Sequence, residues 1–151
     1  PERALRQLSR ATMAQIFDVN TILPMLWLGA FHEALRQADK PRMAVLSARV
    51  GSIEDNHLGG WYSYRASKAA LNMMLQCASV EFGRLNKSAQ LVAFHPGTVD
   101  TTLSKPFQRG VPESKLFTPN FVAKRLVALL DDVPTAERLQ YLDWDGKPIP
   151  F

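Results

Sequence analysis

Two short apolar runs and a third segment that reads as a last strand divide this chain. They are "MAVLSA" (residues 43–48), "AQLVAF" (89–94) and "RLQYLDW" (138–144). Apolar runs of this length are typical of buried strands, and each follows a stretch with helical character; the last such stretch spans 120–132, with Asn120 as its expected N-cap. The order helix, strand, helix, strand, helix, strand predicts an α/β fold with a parallel sheet, built as one domain over residues 1–151.

The two longer helices are apolar over much of their surface. The first is predicted over residues 9–38, with Ser9 as its N-cap and a bend or break near Pro24. The second is predicted over residues 64–85, where small and apolar residues occupy most sides and indicate burial on more than one face. We expect the apolar faces of helices 9–38 and 64–85 to join copies of the chain into a homo-oligomer.

Composition argues against several classes of protein. The formal net charge is +4, but the basic residues are scattered, so we expect a solvated surface and no binding to nucleic acid. No apolar run is long enough to span a bilayer, and the charged start "PERALRQLSR" does not resemble a signal peptide. The single cysteine, Cys77, rules out an internal disulfide and a cysteine-based zinc site. These features predict a cytoplasmic protein with no metal centre and no membrane partner.

One stretch carries a candidate catalytic pair. In "GGWYSYRASKAALN" (59–72), Lys68 follows Tyr64 by four residues, so both side chains lie on one helix face with Cβ atoms about 5–6 Å apart. A free tyrosine has a pKa of about 10, and a nearby ammonium favours the phenolate and lowers that pKa. Tyr62 has Ala66 at the same spacing and lacks such a partner. The pair is therefore suited to protonating a carbonyl oxygen as hydride arrives.

Tyr-x-x-x-Lys by itself occurs in many helices, and here four further motifs accompany it. In order along the chain they are "DVNT" (18–21), "VLSARVGSI" (45–53), "HPGTVDT" (95–101) and "DWDGKPIPF" (143–151). Together with "YRASKAAL" (64–71), they resemble motifs of the short-chain dehydrogenase/reductase family, in particular its small carbonyl-reductase-like members. The resemblance implies a Rossmann-like, doubly wound parallel sheet, NAD or NADP as cofactor, and a small-molecule carbonyl or alcohol as substrate.

The resemblance also implies roles for individual residues. Tyr64 would donate or accept the proton, and Lys68 would lower the pKa of Tyr64 and hold the nicotinamide ribose. Asn20 would help to place a water in the proton relay. The nicotinamide side of the cofactor would be lined by Pro96, Gly97, Val99 and Thr101. Without the family resemblance, Asn20 would be interpreted as a polar helix residue, and the Pro96–Gly97 pair would be interpreted as a turn after a strand.

The family's substrate-orienting serine is missing from its usual position. It commonly lies three residues before the loop glycine, which is Gly51 here, and that position is Ala48. Ser47 lies one residue earlier, where a strand turns the side chain to the other face, and Ser52 lies just past the glycine. The sequence leaves these two hydroxyls as equal candidates for the role.

The 151 residues contain no glycine-rich phosphate-binding loop. The first of the eight glycines is Gly29, and nowhere do they form the G-x-x-x-G-x-G spacing with which the family approaches the pyrophosphate. The resemblance therefore covers the carboxyl-terminal portion of a family domain with the first βαβ half absent, and we expect the chain alone to be inactive. The alternative is a non-enzymatic dimerisation or interaction module derived from the family.

Overall fold

A parallel sheet forms the centre of the structure, a computed structural model that describes residues 2–133 and 138–151. In chain order the elements are α1 (Arg10–Phe17), α2 (Leu23–Ala30), α3 (His32–Gln37), β1 (Arg42–Leu46), α4 (Tyr62–Leu85), β2 (Gln90–His95), β3 (Thr98–Val99), β4 (Leu116–Phe117), α5 (Pro119–Asp132) and β5 (Leu139–Asp143). The sheet has the order β1–β2–β5 with parallel pairing throughout, and β3 and β4 form a separate short parallel pair. The α/β prediction is confirmed, and each predicted strand agrees within two residues at either end.

Helices cover both faces of the sheet, and the side chains of β2 show how the layers divide. Leu91 and Ala93 pack into a core with residues of α2, α3 and α4, whereas Val92 and Phe94 pack into a second core with α5. Because successive strand side chains point to opposite faces, a continuous apolar run is what a strand covered on both sides requires. These four residues are at most 1% exposed.

The predicted helix over 9–38 is interrupted twice. A π-helical stretch, Asp18–Ile22, separates α1 from α2, and Phe31 separates α2 from α3. The first interruption lies just before Pro24, which has no N–H to donate to the carbonyl of Asn20 four residues earlier. The break expected near Pro24 is therefore confirmed. Ser9 is the N-cap of α1, although its side chain makes no capping hydrogen bond.

The N-cap of α5 is Thr118, so the prediction of Asn120 was wrong. The Thr118 side chain accepts a hydrogen bond from the backbone N–H of Phe121 at 3.2 Å. Pro119 explains the difference, because proline favours the first helical position and holds the preceding residue in the extended conformation that a cap needs.

The carboxyl ends of the three parallel strands meet at one edge of the sheet. In the register, Leu46 pairs with Phe94 and His95 pairs with Asp143. The loops that carry the predicted site motifs leave the sheet from this edge. On the outer side of β1 no further strand pairs among the described residues. None of the helices in the described part of the chain is long and apolar enough to cross a membrane.

Candidate active site

Tyr64 and Lys68 lie in the first two turns of α4, at the edge where the strands end. The Lys68 amine donates a hydrogen bond to the backbone carbonyl of Leu46, the last residue of β1, at 2.9 Å. The helix approaches the loop after β1 closely, since a Cβ added to Gly51 would lie 2.8 Å from the Cβ of Lys68. The Tyr64 hydroxyl has no hydrogen-bond partner among the described residues.

Burial dominates the electrostatics of the pair. It lowers the pKa of Lys68 to about 8 and raises the pKa of Tyr64 above its usual value. The second shift is opposite to the one predicted from the Tyr-Lys spacing. The physical reason is that the Lys68 amine is directed to the Leu46 carbonyl, while removal of water from the half-buried phenol disfavours the phenolate.

We expect Lys68→Met to stabilise the chain at pH 7 by about 1–2 kcal/mol. Lys68 is only 8% exposed. A pKa lowered from 10.5 to about 8 means that burying the charged amine costs the folded chain at most about 3 kcal/mol. Methionine removes that cost but also removes the hydrogen bond to Leu46, which offsets roughly 1 kcal/mol of the gain. Because the folded pKa is the lower one, the unfolded chain binds more protons between pH 8 and 10.5, and stability rises with pH across that window.

Urea denaturation of both proteins at pH 7 and from pH 8 to 10.5 tests this expectation. The unfolding free energy of Lys68→Met should lack the rise that the unsubstituted chain shows. A variant that is less stable at pH 7 would show that the hydrogen bond to Leu46 outweighs the cost of burying the amine.

Asn20 is tied to the same helix by a short chain of hydrogen bonds. Its side-chain amide donates to the Ser67 hydroxyl at 3.2 Å, and Ser67 in turn donates to the carbonyl of Tyr64 at 2.8 Å. Thr21 donates to the Ser67 carbonyl at 2.7 Å. The π-helical stretch that carries Asn20 is thus held against the turn between Tyr64 and Lys68. π-Helical turns are frequent at functional sites.

The two candidate serines are buried but differ in what their hydroxyls do. Ser47 is 4% exposed and donates to the Asn72 side-chain oxygen at 2.7 Å, so its proton is already engaged. Ser52 is 2% exposed and accepts from the backbone N–H of Asp55 at 3.0 Å, which leaves its own proton as a donor. Ala48, at the position usual for the family's serine, offers only a methyl group. The geometry therefore favours Ser52 over Ser47 without bringing either to the surface.

The predicted nicotinamide loop follows β2 at the same sheet edge. Gly97 has φ 73°, and a Cβ there would lie 2.8 Å from the ring of Phe117, so only glycine fits. Val99 pairs with Phe117 in the short β3–β4 ladder. Thr101 accepts a hydrogen bond from the Ser104 N–H at 3.4 Å, which turns the chain back after the ladder. Gly97 also approaches the ring of Trp144, so the loop lies against the segments that follow β3 and β5.

A charged cluster at the strand ends was not predicted. Arg49 contacts Asp55 at 3.1 Å and Asp143 at 3.4 Å. Burial lowers the pKa of His95 to about 4, Arg49 adds to this shift and Asp143 opposes it, so the imidazole is neutral at pH 7. The sequence could have indicated this cluster through the positions of His95 and Asp143, because both are the last residues of buried strands.

Aromatic contacts beside the candidate catalytic tyrosine were missed as well. The ring of Trp61 lies 6.4 Å from the ring of Tyr64 and 5.6 Å from the ring of Phe107. Trp61 and Tyr64 both belong to the "GGWYSYR" motif, so their contact is local in the sequence. The second contact joins residues that are far apart in the chain, and no local pattern indicates it.

Comparison with known proteins identifies the family. The family model described as short chain dehydrogenase matches residues 2–111. The chain is 31% identical to C-signal from Myxococcus xanthus, over 98% of this chain and 84% of that protein. It is 34% identical to 1-hydroxy-2-glutathionyl-2-methyl-3-butene dehydrogenase from Rhodococcus sp. strain AD45, over 83% of this chain and 54% of that enzyme.

The fold agrees with solved structures of related proteins. The crystal structure of NADPH-bound carbonyl reductase from chicken fatty liver superposes with a TM-score of 0.82 and 26% identity, covering all of this chain and 62% of that one. The described elements therefore correspond to part of a Rossmann-like sheet, and the chain spans between half and two thirds of the length of both this reductase and the Rhodococcus enzyme. The chain belongs to the short-chain dehydrogenase family.

Proposed function

We propose that this chain is the carboxyl-terminal, catalytic portion of an oxidoreductase that interconverts small carbonyl compounds and alcohols with NAD or NADP. The observation that carries the proposal is the Tyr64 hydroxyl, which has no hydrogen-bond partner within residues 2–133 and 138–151 and lies one helical turn from Lys68 at the carboxyl edge of the sheet. Ligands of open α/β sheets bind at this edge. Two related enzymes, the Rhodococcus dehydrogenase and the NADPH-bound carbonyl reductase from chicken, support the same chemistry here.

The residues present suit the nicotinamide end of such a cofactor. Gly51 lets the loop after β1 pack against Lys68, and Gly97 lets the loop after β2 pack against Phe117, so both loops are held firmly in place beside the proposed site. Lys68 would hold the ribose, and Pro96, Gly97, Val99 and Thr101 would border the ring. When bound, a reduced nicotinamide supplies hydride. No glycine-rich loop for the pyrophosphate occurs among the 151 residues, so the fit is to one half of the cofactor.

The proposed work of this chain is proton transfer. Tyr64 donates its phenolic proton to the carbonyl oxygen of the substrate as negative charge develops there, and it accepts the proton in the reverse direction. In this step the Lys68 amine would leave the Leu46 carbonyl and turn toward the phenol. Its positive charge would then stabilise the phenolate that results. Asn20 and Ser67 link this turn of α4 to the π-helical stretch, which would support a water that returns the proton.

Isotope transfer tests the proposed reaction directly. The complete protein is incubated with an aldehyde and with NADPH or NADH deuterated at the reactive C4 position. We expect deuterium on the carbinol carbon of the alcohol, measured by mass spectrometry, with one of the two C4 epimers supplying nearly all of it. Reduction without label from either epimer would contradict direct hydride transfer.

The role of the serine hydroxyls is a separate prediction. We expect Ser52→Ala in the complete protein to lower kcat/KM by roughly tenfold, as loss of one hydrogen bond to a charged oxygen would. Ser47→Ala is the matched control and should change kcat/KM less than about threefold once differences in stability are removed. Two variants that each keep the rate of the unsubstituted protein would show that the enzyme uses no serine hydroxyl.

A second candidate function is a non-enzymatic interaction module. It is favoured by the relative named C-signal, which this chain matches over 84% of its length. Exposed apolar side chains on α2 and α4, among them Leu26, Trp27 and Met73, offer a surface for a homo-oligomer. The mass of the intact polypeptide separates the two functions, because a chain about 80–90 residues longer would hold a full doubly wound domain.

A further inference from the structure

We propose that Trp61 and Phe107 form an aromatic wall beside Tyr64 and select carbonyl substrates that carry an aromatic ring near the reacting group. This inference rests on the proposed function, since it assigns the substrate class of the same site. The wall joins the loop that precedes α4 to the loop that follows β3. Its ring planes meet at 64° and at a centroid separation of 5.6 Å, the edge-to-face arrangement that aromatic pairs prefer.

The wall lies next to the ring that carries the proposed proton donor. Trp61 contacts the ring of Tyr64 at 6.4 Å with an interplanar angle of 60°. Phe107 remains 42% exposed and Trp61 is half-buried, so aromatic surface is open beside the phenol. A ring attached to the substrate two or three bonds from the carbonyl carbon would reach this surface while the carbonyl oxygen meets the Tyr64 hydroxyl.

Backbone geometry holds Trp61 in place. Gly59, Gly60 and Trp61 have φ values of 63°, 65° and 50°, and the last is unusual for a residue with a side chain. The Trp61 N–H donates to the Glu2 carbonyl at 2.6 Å, and the Arg65 side chain donates to the carbonyls of Gly59 and Gly60. Strained conformations persist only where the surroundings enforce them, and they cluster at functional sites.

Phe107 is held by a compact loop of its own. It ends the short 3-10 turn Lys105–Phe107. On one side of that turn, the Ser104 hydroxyl donates to the Val99 carbonyl. On the other, Gln108 donates to Asp100 at 3.0 Å. The loop between β3 and β4 is therefore folded onto itself in a way that presents the Phe107 ring to Trp61.

The hydrogen-bonding side of the site gives a reason for such a wall. Ala48 provides no hydroxyl, Ser47 donates to Asn72, and both serines are almost fully buried. With Tyr64 and at most the Ser52 hydroxyl as donors, a small carbonyl compound can still adopt more than one orientation. Packing of a substrate ring against Trp61 and Phe107 would remove that freedom and orient the carbonyl face.

The test compares two ketones whose carbonyls are chemically alike. The complete protein reduces 4-phenyl-2-butanone and 4-cyclohexyl-2-butanone, and the ratio of their kcat/KM values measures the preference for the aromatic ring. We expect the ratio to favour the phenyl compound roughly fivefold and to fall to about one in Trp61→Leu and Phe107→Leu. Trp61→Phe keeps a ring and should keep most of the preference. Phe121→Leu removes a ring of similar exposure in α5 and should leave the ratio unchanged.

A binding measurement separates this inference from the proposed reaction. In saturation-transfer NMR, the phenyl protons of 4-phenyl-2-butanol should receive magnetisation from the protein, and this transfer should be lost in Phe107→Leu. The measurement requires no turnover.

An unchanged ratio of the two kcat/KM values in folded Trp61→Leu and Phe107→Leu would overturn the aromatic wall. If Tyr64→Phe abolishes turnover at the same time, the proposed reaction stands without it. Should Trp61→Leu fail to fold by circular dichroism, Phe107→Leu in the more exposed loop decides the question.

Discussion

Tyr64→Phe in the complete protein is expected to lower kcat by about 10²–10⁴-fold, the usual contribution of a general acid–base group. The substitution removes one oxygen atom. The phenyl ring can keep its edge contact with Trp61, and the lost hydroxyl has no partner among the described residues. Folding should therefore be almost unaffected while the proton donor disappears.

Tyr62→Phe is the matched control for this substitution. Tyr62 lies in the same turn of α4, but the residue four positions later is Ala66, and its side chain is more exposed than that of Tyr64. Steady-state kinetics and thermal unfolding of both variants decide the outcome. Tyr62→Phe should keep nearly full kcat, and both should unfold within a few degrees of the unsubstituted protein. A Tyr64→Phe enzyme that retained more than about a tenth of kcat would show that the proton comes from elsewhere.

The sheet and the helices could be predicted because their signals are local. Leu91 to Phe94 form a continuous apolar run, and a strand with helices on both faces requires such a run. The Tyr64–Lys68 spacing likewise depends only on helix geometry. The break before Pro24 follows from the chemistry of that one residue.

Features that depend on distant contacts could not be predicted in this way. The Trp61–Phe107 contact and the Glu2–Ser63 hydrogen bonds join segments separated by long stretches of chain. The pKa of Tyr64 is raised because of burial, which the spacing of two residues does not reveal. The hydrogen bond from Ser47 to Asn72, on which the proposed preference for Ser52 rests, also joins segments that are distant in the sequence.

The 151-residue chain by itself is expected to bind NADPH or NADH no more tightly than about 1 mM, or roughly 4 kcal/mol. Binding energy from the adenosine and pyrophosphate holds a nicotinamide at the reacting centre, and a glycine turn at a helix N-terminus collects that energy. That turn is not in this sequence. Lys68 and the loop that begins at Pro96 remain, and in the proposed arrangement they would contact only the nicotinamide end. Without the remaining binding energy, turnover by this chain should be undetectable.

Isothermal titration of the purified chain with each nucleotide measures this limit, and Lys68→Met is the control that removes the contact proposed for the ribose. The open side of β1 makes a second consequence measurable, because an unpaired strand edge is a template for association. Sedimentation should therefore show self-association that grows with concentration. A micromolar dissociation constant for either nucleotide would mean that a pyrophosphate site exists without the glycine loop. The proposal that these residues are one part of a larger catalytic domain would then fall, because the chain would already hold what that domain is needed to supply.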